Sequence, residues 1–499
     1  MQRILVALFA VPLLLLPLHP FLSTWLTSLA PPQAGFVISA WKELILSLAA
    51  MLGLLWLLWR GEGLRWRVLD VLIIAFVLLS LLSGVLFTGD GYPQNLAQVV
   101  WGAKYGLFFF VIFAIVRQLR FSPQQKRFLV GCALVPAALV IGFGFVQKVI
   151  LPETFLIPFG YNSEYGITEA GQGLSYCHKI ENRITHEEFC RAQSTLSGPN
   201  QFGAYLLIVL PLLLFLAPVQ RSVWLRTLLT VVLVFGVATL FFTWSRSAWI
   251  GMLAAMAMLF IITATRPGVA IAYLTTFGLG VLALFAPALA IEHWDELKPI
   301  ALTAAVAALV VLCIFLLRNW PRRDFPRVPA LVFPFFLGGL VAVRAFFDTF
   351  FWNIILRPSS TQGHWERWGD GVYYMLQYPW GLGLGDAGPA SARFARPGET
   401  GFLPESWYLQ VGLESGVLGL LLFLAIIVLV GLELYRRHTP TAHALLLALI
   451  GISTACLFLH SWESAAVALT FWLLAGIELA REDKPSLAMR VRNFFSRFF

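Results

Sequence analysis

Read for polarity alone, the chain alternates between apolar runs of about 20 residues and shorter polar breaks over most of its length. The runs fall near 4–28, 37–59, 69–88, 98–116, 128–150, 201–218, 226–243, 247–265, 270–290, 299–317, 328–346, 411–434, 442–460 and 465–480. A helix needs roughly 20 apolar residues to cross about 30 Å of hydrocarbon, so each run can make one crossing. Lipid offers no partner to backbone amides, which makes those crossings helical. Barrel strands are only about 10 residues long and alternate apolar with polar positions, and the runs do neither. The expected fold is all-α: one polytopic membrane domain over 1–499 with about 12–14 transmembrane helices. Two polar breaks are long, 151–200 and 346–410, and the second shows no helical period. It is rich in Trp (Trp352, Trp365, Trp368, Trp380) and in charge, which reads as an ordered roof over a site.

Composition agrees with this reading and charge orients it. With 59% hydrophobic and 12% charged residues and a mean hydropathy of +0.80, the chain is too apolar for a soluble protein. The net charge of +9 would suit nucleic acid if it were clustered. Instead Arg60, Arg65 and Arg67, then Arg117 to Arg127, Arg221 and Arg226, Arg318 to Arg327, Arg436 and Arg437, and Arg481 to Arg497 recur at alternate ends of the runs. That is the positive-inside pattern. It makes the basic loops and both termini cytoplasmic, puts 151–200 and 346–410 on the extracytoplasmic side, and excludes nucleic acid as a partner. Met1 to Leu16 reads as a signal anchor, because no small-residue cleavage site follows it. No repeat of fixed period stands out.

Candidate chemistry gathers on the two long loops and one tight turn. Cys177 and Cys190 share the first loop, where an oxidising compartment allows a disulfide; two free thiols are the alternative, and Cys177, His178, His186 and Cys190 only weakly suggest a metal set. Arg191 to Gly203 leads into an apolar run, with Asn200 placed to cap the helix and Arg191 either flanking the interface or facing a phosphate. Arg246 lies in the tight turn Thr243 to Gly251, where it either snorkels to lipid phosphate or serves a site. Lys104 either snorkels or lines a cavity, Lys42 and Glu43 mark an interface end, and the Trp and Phe residues suit an interfacial belt. Gly381-x-Gly-x-Gly has no βαβ context and is no dinucleotide fingerprint.

Four stretches in order on the expected outer face resemble the O-antigen ligase and O-antigen polymerase superfamily. They are Arg191 to Gly203, Ser245 to Gly251, Arg357 to Gly385 with His364-Trp365-Glu366-Arg367-Trp368, and Trp407-Tyr408-Leu409-Gln410 through Gly419, together about 191–425. The resemblance implies a multi-span GT-C-like glycosyltransferase in a bacterial cytoplasmic membrane. Its donor would be a polyprenyl-pyrophosphate-linked glycan, passed to a glycan, glycolipid or protein acceptor at the outer leaflet without metal or other cofactor. Arg191 and Arg246 match the family's arginines, and Arg357 or Arg367 could add a third contact; a guanidinium fork binds phosphate at two points and stays charged. Where many ligases carry His-Asn before the Tyr-Leu-Gln helix start, this chain has Glu405-Ser406. Glu405 could then be the base, or His364 could, or Glu405 and Ser406 could simply complement and cap a helix start. A transporter or flippase is the alternative that the span count permits. It would place a site at the bilayer midplane, whereas the polar residues here gather in loops. A dolichyl-type transferase ranks lower, since residues 29–36 carry no acid.

Overall fold

The computed structural model describes residues 1–31, 34–86, 95–162, 174–181, 188–263, 358–394 and 401–482. The expected runs at 270–290, 299–317 and 328–346 lie outside them. Every other expected run is helical. The helices are α1 (Gln2–Leu15), α2 (His19–Leu29), α3 (Gly35–Trp59), α4 (Val68–Leu86), α5 (Leu96–Gly106), α6 (Phe108–Gln118), α7 (Pro123–Val149), α8 (Pro199–Leu216), α9 (Val223–Phe242) and α10 (Arg246–Thr263). After them come α11 (Pro358–Gln377), α12 (Gly388–Phe394), α13 (Trp407–Tyr435), α14 (Pro440–Ala455) and α15 (Ala465–Leu479). Among the described residues six helical segments are long and apolar enough to cross a membrane, or seven with the bent pair α5–α6; α4, α10, α14 and α15 are shorter apolar helices.

Local sequence sets the breaks. Pro17 and Pro20 interrupt the first run, where a 3-10 turn joins α1 to α2. The run at 98–116 bends by 50° between α5 and α6. Ser122 and Gln125 form a reciprocal capping box at the start of α7, and Thr439 caps α14 ahead of Pro440. One expectation fails: the stretch 346–410 is not without helix, because Pro358–Gln377 forms twenty residues of it. Its one protein-facing side carries Gly371, packed against Pro404 and Leu409, and Met375, packed against Gly412. Such a narrow apolar stripe is masked by the Trp, Tyr and charged residues on the other faces.

Helix α8 is the buried centre and packs against α9, α10 and α14, while α4 lies along α13 and α6 along α15. Where α10 crosses α14, Gly251 meets the Gly451 carbonyl, so close that a Cβ would overlap it; small residues let backbones approach within a membrane. Trp472 of α15 fills the space against Phe110 and Phe113 of α6, with ring centroids 4.6 and 5.0 Å apart. The basic loops converge on one end. There Gln118 Oε1 accepts from Arg65 N and from Arg481 Nη2 at 3.1 and 2.6 Å, and β1 (Arg120–Phe121) pairs in parallel with β4 (Arg481–Glu482). Arg117, buried, donates to Asp70 at 2.7 Å and to Glu433 at 2.9 Å, tying α6 to α4 and α13. The other end carries the candidate site.

Candidate active site

Each arginine of the candidate site is held by a backbone feature of its own. Cys177 and Cys190 are joined by a disulfide beside the two-stranded ribbon β2 (Lys179–Glu181) and β3 (Glu188–Cys190), which fixes the residue that follows. Arg191 N donates to His178 O at 3.1 Å, its Nε to Thr243 O at 2.7 Å, and its Nη2 to Asn200 Oδ1 at 2.7 Å. Asn200 therefore does not cap the helix as expected. Helix α8 begins one residue earlier, at Pro199, whose fixed φ suits a first helical position, and the Asn200 amide is left to orient Arg191. The turn at Thr243 is completed by Trp244, at φ 50°, a left-handed conformation that few non-glycine residues adopt. It turns the chain directly into α10, which starts at Arg246. Arg191 and Arg246 are thus anchored on one turn.

From there the contacts run into α11. Arg246 Nη1 donates to Thr361 Oγ1 at 2.7 Å. One helical turn further on, His364 Nδ1 stands 3.3 Å from Glu405 Oε2, and Arg367 Nη1 donates to Glu405 Oε1 at 2.6 Å. Five residues singled out in the sequence, Arg191, Arg246, His364, Arg367 and Glu405, are joined through Thr243 and Thr361 into one polar chain at one end of the molecule. Arg357 lies outside the described residues. Glu405 itself sits at φ 56°. A left-handed non-glycine residue costs on the order of 1–3 kcal/mol and persists where its surroundings over-determine it.

The helix-cap reading of Glu405 and Ser406 is not what the structure shows. Ser406 precedes α13 but its hydroxyl donates to Cys456 O at 3.3 Å and makes no capping bond. Glu405 points across to α11. Burial raises its carboxyl, yet the hydrogen bond and charge of His364, with Arg367 beyond it, outweigh burial and hold it below its ordinary value. It is an ionised, doubly engaged carboxylate.

Behind Glu405 lies a second layer that the sequence gave no reason to single out. The turn His460 to Glu463 joins α14 to α15 and packs its polar groups against α13. His460 Nδ1 is 2.6 Å from Gln410 Oε1. Burial pushes the His460 imidazole down to about 4, Glu405 pulling the other way, and burial pushes the Glu463 carboxyl up to about 8, with the Gln410 amide opposing it. Glu414 accepts from Gly385 N at 3.0 Å. Only the tetrapeptide His460-Ser461-Trp462-Glu463, interrupting two apolar runs, could have drawn attention to this layer.

The glycine-rich stretch supports the same region. Helix α13 is broken at Gly416 (φ 73°), freeing the carbonyls before it. Leu382 N and Gly383 N donate to Leu413 O and Glu414 O at 2.6 and 3.1 Å, and Val417 N donates to Pro379 O at 2.8 Å. A Cβ on Gly381 would stand 2.6 Å from Gly416 N and 2.8 Å from Glu414 O, so only glycine fits. The Gly-x-Gly-x-Gly pattern repairs a broken helix.

The three charges expected at or within the spans, Lys42, Glu43 and Lys104, are brought together. Lys42 is buried, with Nζ 2.8 Å from His19 Nε2, and Glu43 lies between Lys42 and Lys104 at 3.3 Å from each. Lys104 also lies over the Trp101 ring, 4.6 Å from its centroid. Burying an ion pair is tolerable when each charge keeps a partner, and here α2, α3 and α5 supply the partners.

Among the described residues one group of side chains has metal-ligand spacing, Glu153 with Cys177 and Cys190, and its two sulfurs are already bonded to each other. Comparison with curated proteins finds no matching relative. Residues 299–424, about a quarter of the chain, match the family described as O-antigen ligase. The match takes in His364, Arg367, Glu405, Gln410 and Glu414; Arg191 and Arg246 lie before it and reach it through Thr361. That match, over the charged site-end helices of a polytopic helical protein, supports a relationship to the O-antigen ligase-related superfamily.

Proposed function

We propose that the chain is a membrane glycosyltransferase that passes a polyprenyl-pyrophosphate-linked glycan to an acceptor, once as a ligase or repeatedly as a polymerase. The cytoplasmic membrane of a bacterium is the setting, with the site on the extracytoplasmic face, opposite the basic loops. One observation carries the reading: the Arg246–Thr361 bond joins the paired arginines to the helix that holds His364 and Arg367 against Glu405. Cleaving a glycosyl diphosphate builds negative charge on the departing phosphate oxygens. Fixed guanidinium groups answer that demand without metal, and stabilising developing charge is often the largest catalytic contribution. Arg191 and Arg246 are the proposed diphosphate contacts, with Arg367 and Arg357 as further ones. Glu405 and His364 are placed on the acceptor side, where a carboxylate and an imidazole can orient a sugar hydroxyl.

Transport of the same lipid-linked glycan is the second reading, and the charges inside the spans, Lys42, Glu43 and Lys104, are the observation in its favour. Glu43 is shared by the two lysines and each charge is held by a fixed partner, which ties them to the scaffold and not to a moving substrate. The deciding experiment mixes purified protein with a polyprenyl-pyrophosphate oligosaccharide and candidate acceptors and separates products by size. One added unit marks a ligase and a ladder marks a polymerase. Absence of any glycosidic product, together with movement of the lipid across vesicles, would overturn the transferase reading.

A further inference from the structure

Resting on the transferase reading, we infer that the proton acceptor for the incoming hydroxyl is His460, with Glu405 as the fixed charge beside it. Neither residue lies within a spanning helix. The sequence offers Glu405 as the base, but its geometry argues against that role. One oxygen is 2.6 Å from Arg367 and the other 3.3 Å from His364, so both are engaged with cationic or hydrogen-bonding partners. Both oxygens already face fixed partners, which suits Glu405 to holding charge beside the ring.

His460 has the opposite arrangement. The Gln410 amide fixes its tautomer: the NH2 serves Glu463, so Oε1 faces the ring and can only accept. Nδ1 therefore carries the hydrogen, and the lone pair is on Nε2. Nε2 is buried and has no hydrogen-bond partner among the described residues. Leaving a buried acceptor unmatched costs about 1–3 kcal/mol, and native proteins hold few such groups. Here they cluster: Trp462 Nε1, Glu463 Oε1 and Trp407 Nε1 are also buried and unmatched among the described residues. Unmatched donors and acceptors on these residues, beside a fixed carboxylate, are groups that the hydroxyls of a sugar could satisfy.

The groups facing His460 are Gln410, with Oε1 2.6 Å from Nδ1, Glu463, with Oε1 3.8 Å from Nδ1, and the charge of Glu405; Glu414, Cys456 and Tyr105 act on Glu463, and His364 and Arg367 act on Glu405. Of these Glu405 carries the negative charge and pulls toward an imidazolium, but burial is the larger effect and keeps the resting ring neutral, with its lone pair free to take a proton. The step balances as follows. The acceptor oxygen forms a bond to the anomeric carbon, and the bond from that carbon to the phosphate oxygen breaks, its electron pair leaving with the lipid diphosphate. The hydroxyl hydrogen passes to His460 Nε2, and the imidazolium then returns it to the diphosphate or to water. Burial raises the Glu463 carboxyl to about 8, which favours its neutral form and limits competing charge beside the ring.

The test is His460→Asn in the purified full-length protein. Asparagine can keep a donor toward Gln410 but has no basic nitrogen to take the proton. The expected result is a loss of roughly 100-fold or more in kcat, with unchanged KM for the lipid-linked donor. Activity within about threefold of wild type would overturn the proposal while leaving the transferase reading intact. If wild-type protein itself makes no glycosidic product, both fall together. Should His460→Asn fold poorly, Gln410→Glu gives an independent readout: a carboxylate against Nδ1–H raises the imidazole, so the acid limb of the pH–rate profile moves up by about a unit. An acid limb that stays where wild type has it would also overturn the proposal.

Discussion

The two ends of this helical bundle treat buried charge differently. At the basic end Arg117 divides its guanidinium between Asp70 and Glu433, and Arg481 reaches both Gln118 Oε1 and Gly63 O. The charges there complete one another and lock α4, α6, α13 and the end of α15 together. At the site end three residues, Ser194, Trp244 and Glu405, hold left-handed backbone without being glycine, against His438 alone at the other. Whole acceptor groups such as His460 Nε2 and His178 Nε2 are left without a hydrogen-bond partner among the described residues. Among the described residues left-handed non-glycine backbone is concentrated at the site end, whereas unmatched buried atoms occur at both ends, Arg117 Nε, Arg120 Nε and Arg481 Nε among them. One end is closed by shared ion pairs, and the other is the end at which we place the proposed site.

That contrast can be broken by substitution. Arg117→Ala leaves Asp70 and Glu433 without their buried partner, and is expected to cost about 3–5 kcal/mol of stability. Thermal unfolding in detergent measures it, and turnover per folded molecule should be unchanged; a drop in turnover alone would mean that the basic end has a catalytic role. Arg246→Ala should do the reverse, lowering kcat roughly 10²–10³-fold with normal expression and melting, as read by the size-resolved transfer assay. Arg191→Ala should behave alike, and full activity in both would remove the phosphate role.

Smaller effects sharpen the comparison. Glu405→Gln keeps the shape but removes the charge facing His460, and a fall of about tenfold in kcat is expected. Because the folded Glu405 carboxyl lies below its ordinary 4.5, its stabilising contribution is present above that value and disappears as pH falls through it. Melting curves of wild type and Glu405→Gln should therefore converge in acid. Glu463 has the opposite sign: raised to about 8, it favours folding least once pH has risen from 4.5 past about 8, where the unfolded chain is ionised. Glu463→Gln should melt a few degrees above wild type in alkali and close to it in acid.

The apolar runs made most of this fold legible, because a span must be apolar and helical wherever it sits. Helix α11 escaped notice because an amphipathic helix on a membrane surface buries only a thin stripe, and its aromatic residues conceal the period. Arg191, Arg246, His364, Arg367 and Glu405 could be picked out by charge and by resemblance. Their linkage through Thr243 and Thr361 could not, since backbone carbonyls and threonine hydroxyls carry no pattern. Asn200 shows the limit of local rules: it lies where a cap is expected, and a neighbouring proline moved the helix start and released its side chain to Arg191. His460 and Glu463 were hidden for a simpler reason: one closes the apolar run 442–460 and the other lies in the four-residue break before 465–480, which reads as an ordinary turn.

The account rests on the paired arginines meeting a lipid diphosphate. Equilibrium binding of a polyprenyl diphosphate to wild-type protein and to the Arg191→Ala, Arg246→Ala double variant tests this directly. Each lost charge-assisted contact is expected to weaken binding by roughly tenfold or more, so the double variant should bind at least about a hundredfold more weakly. Equal affinity in the two proteins would contradict the account.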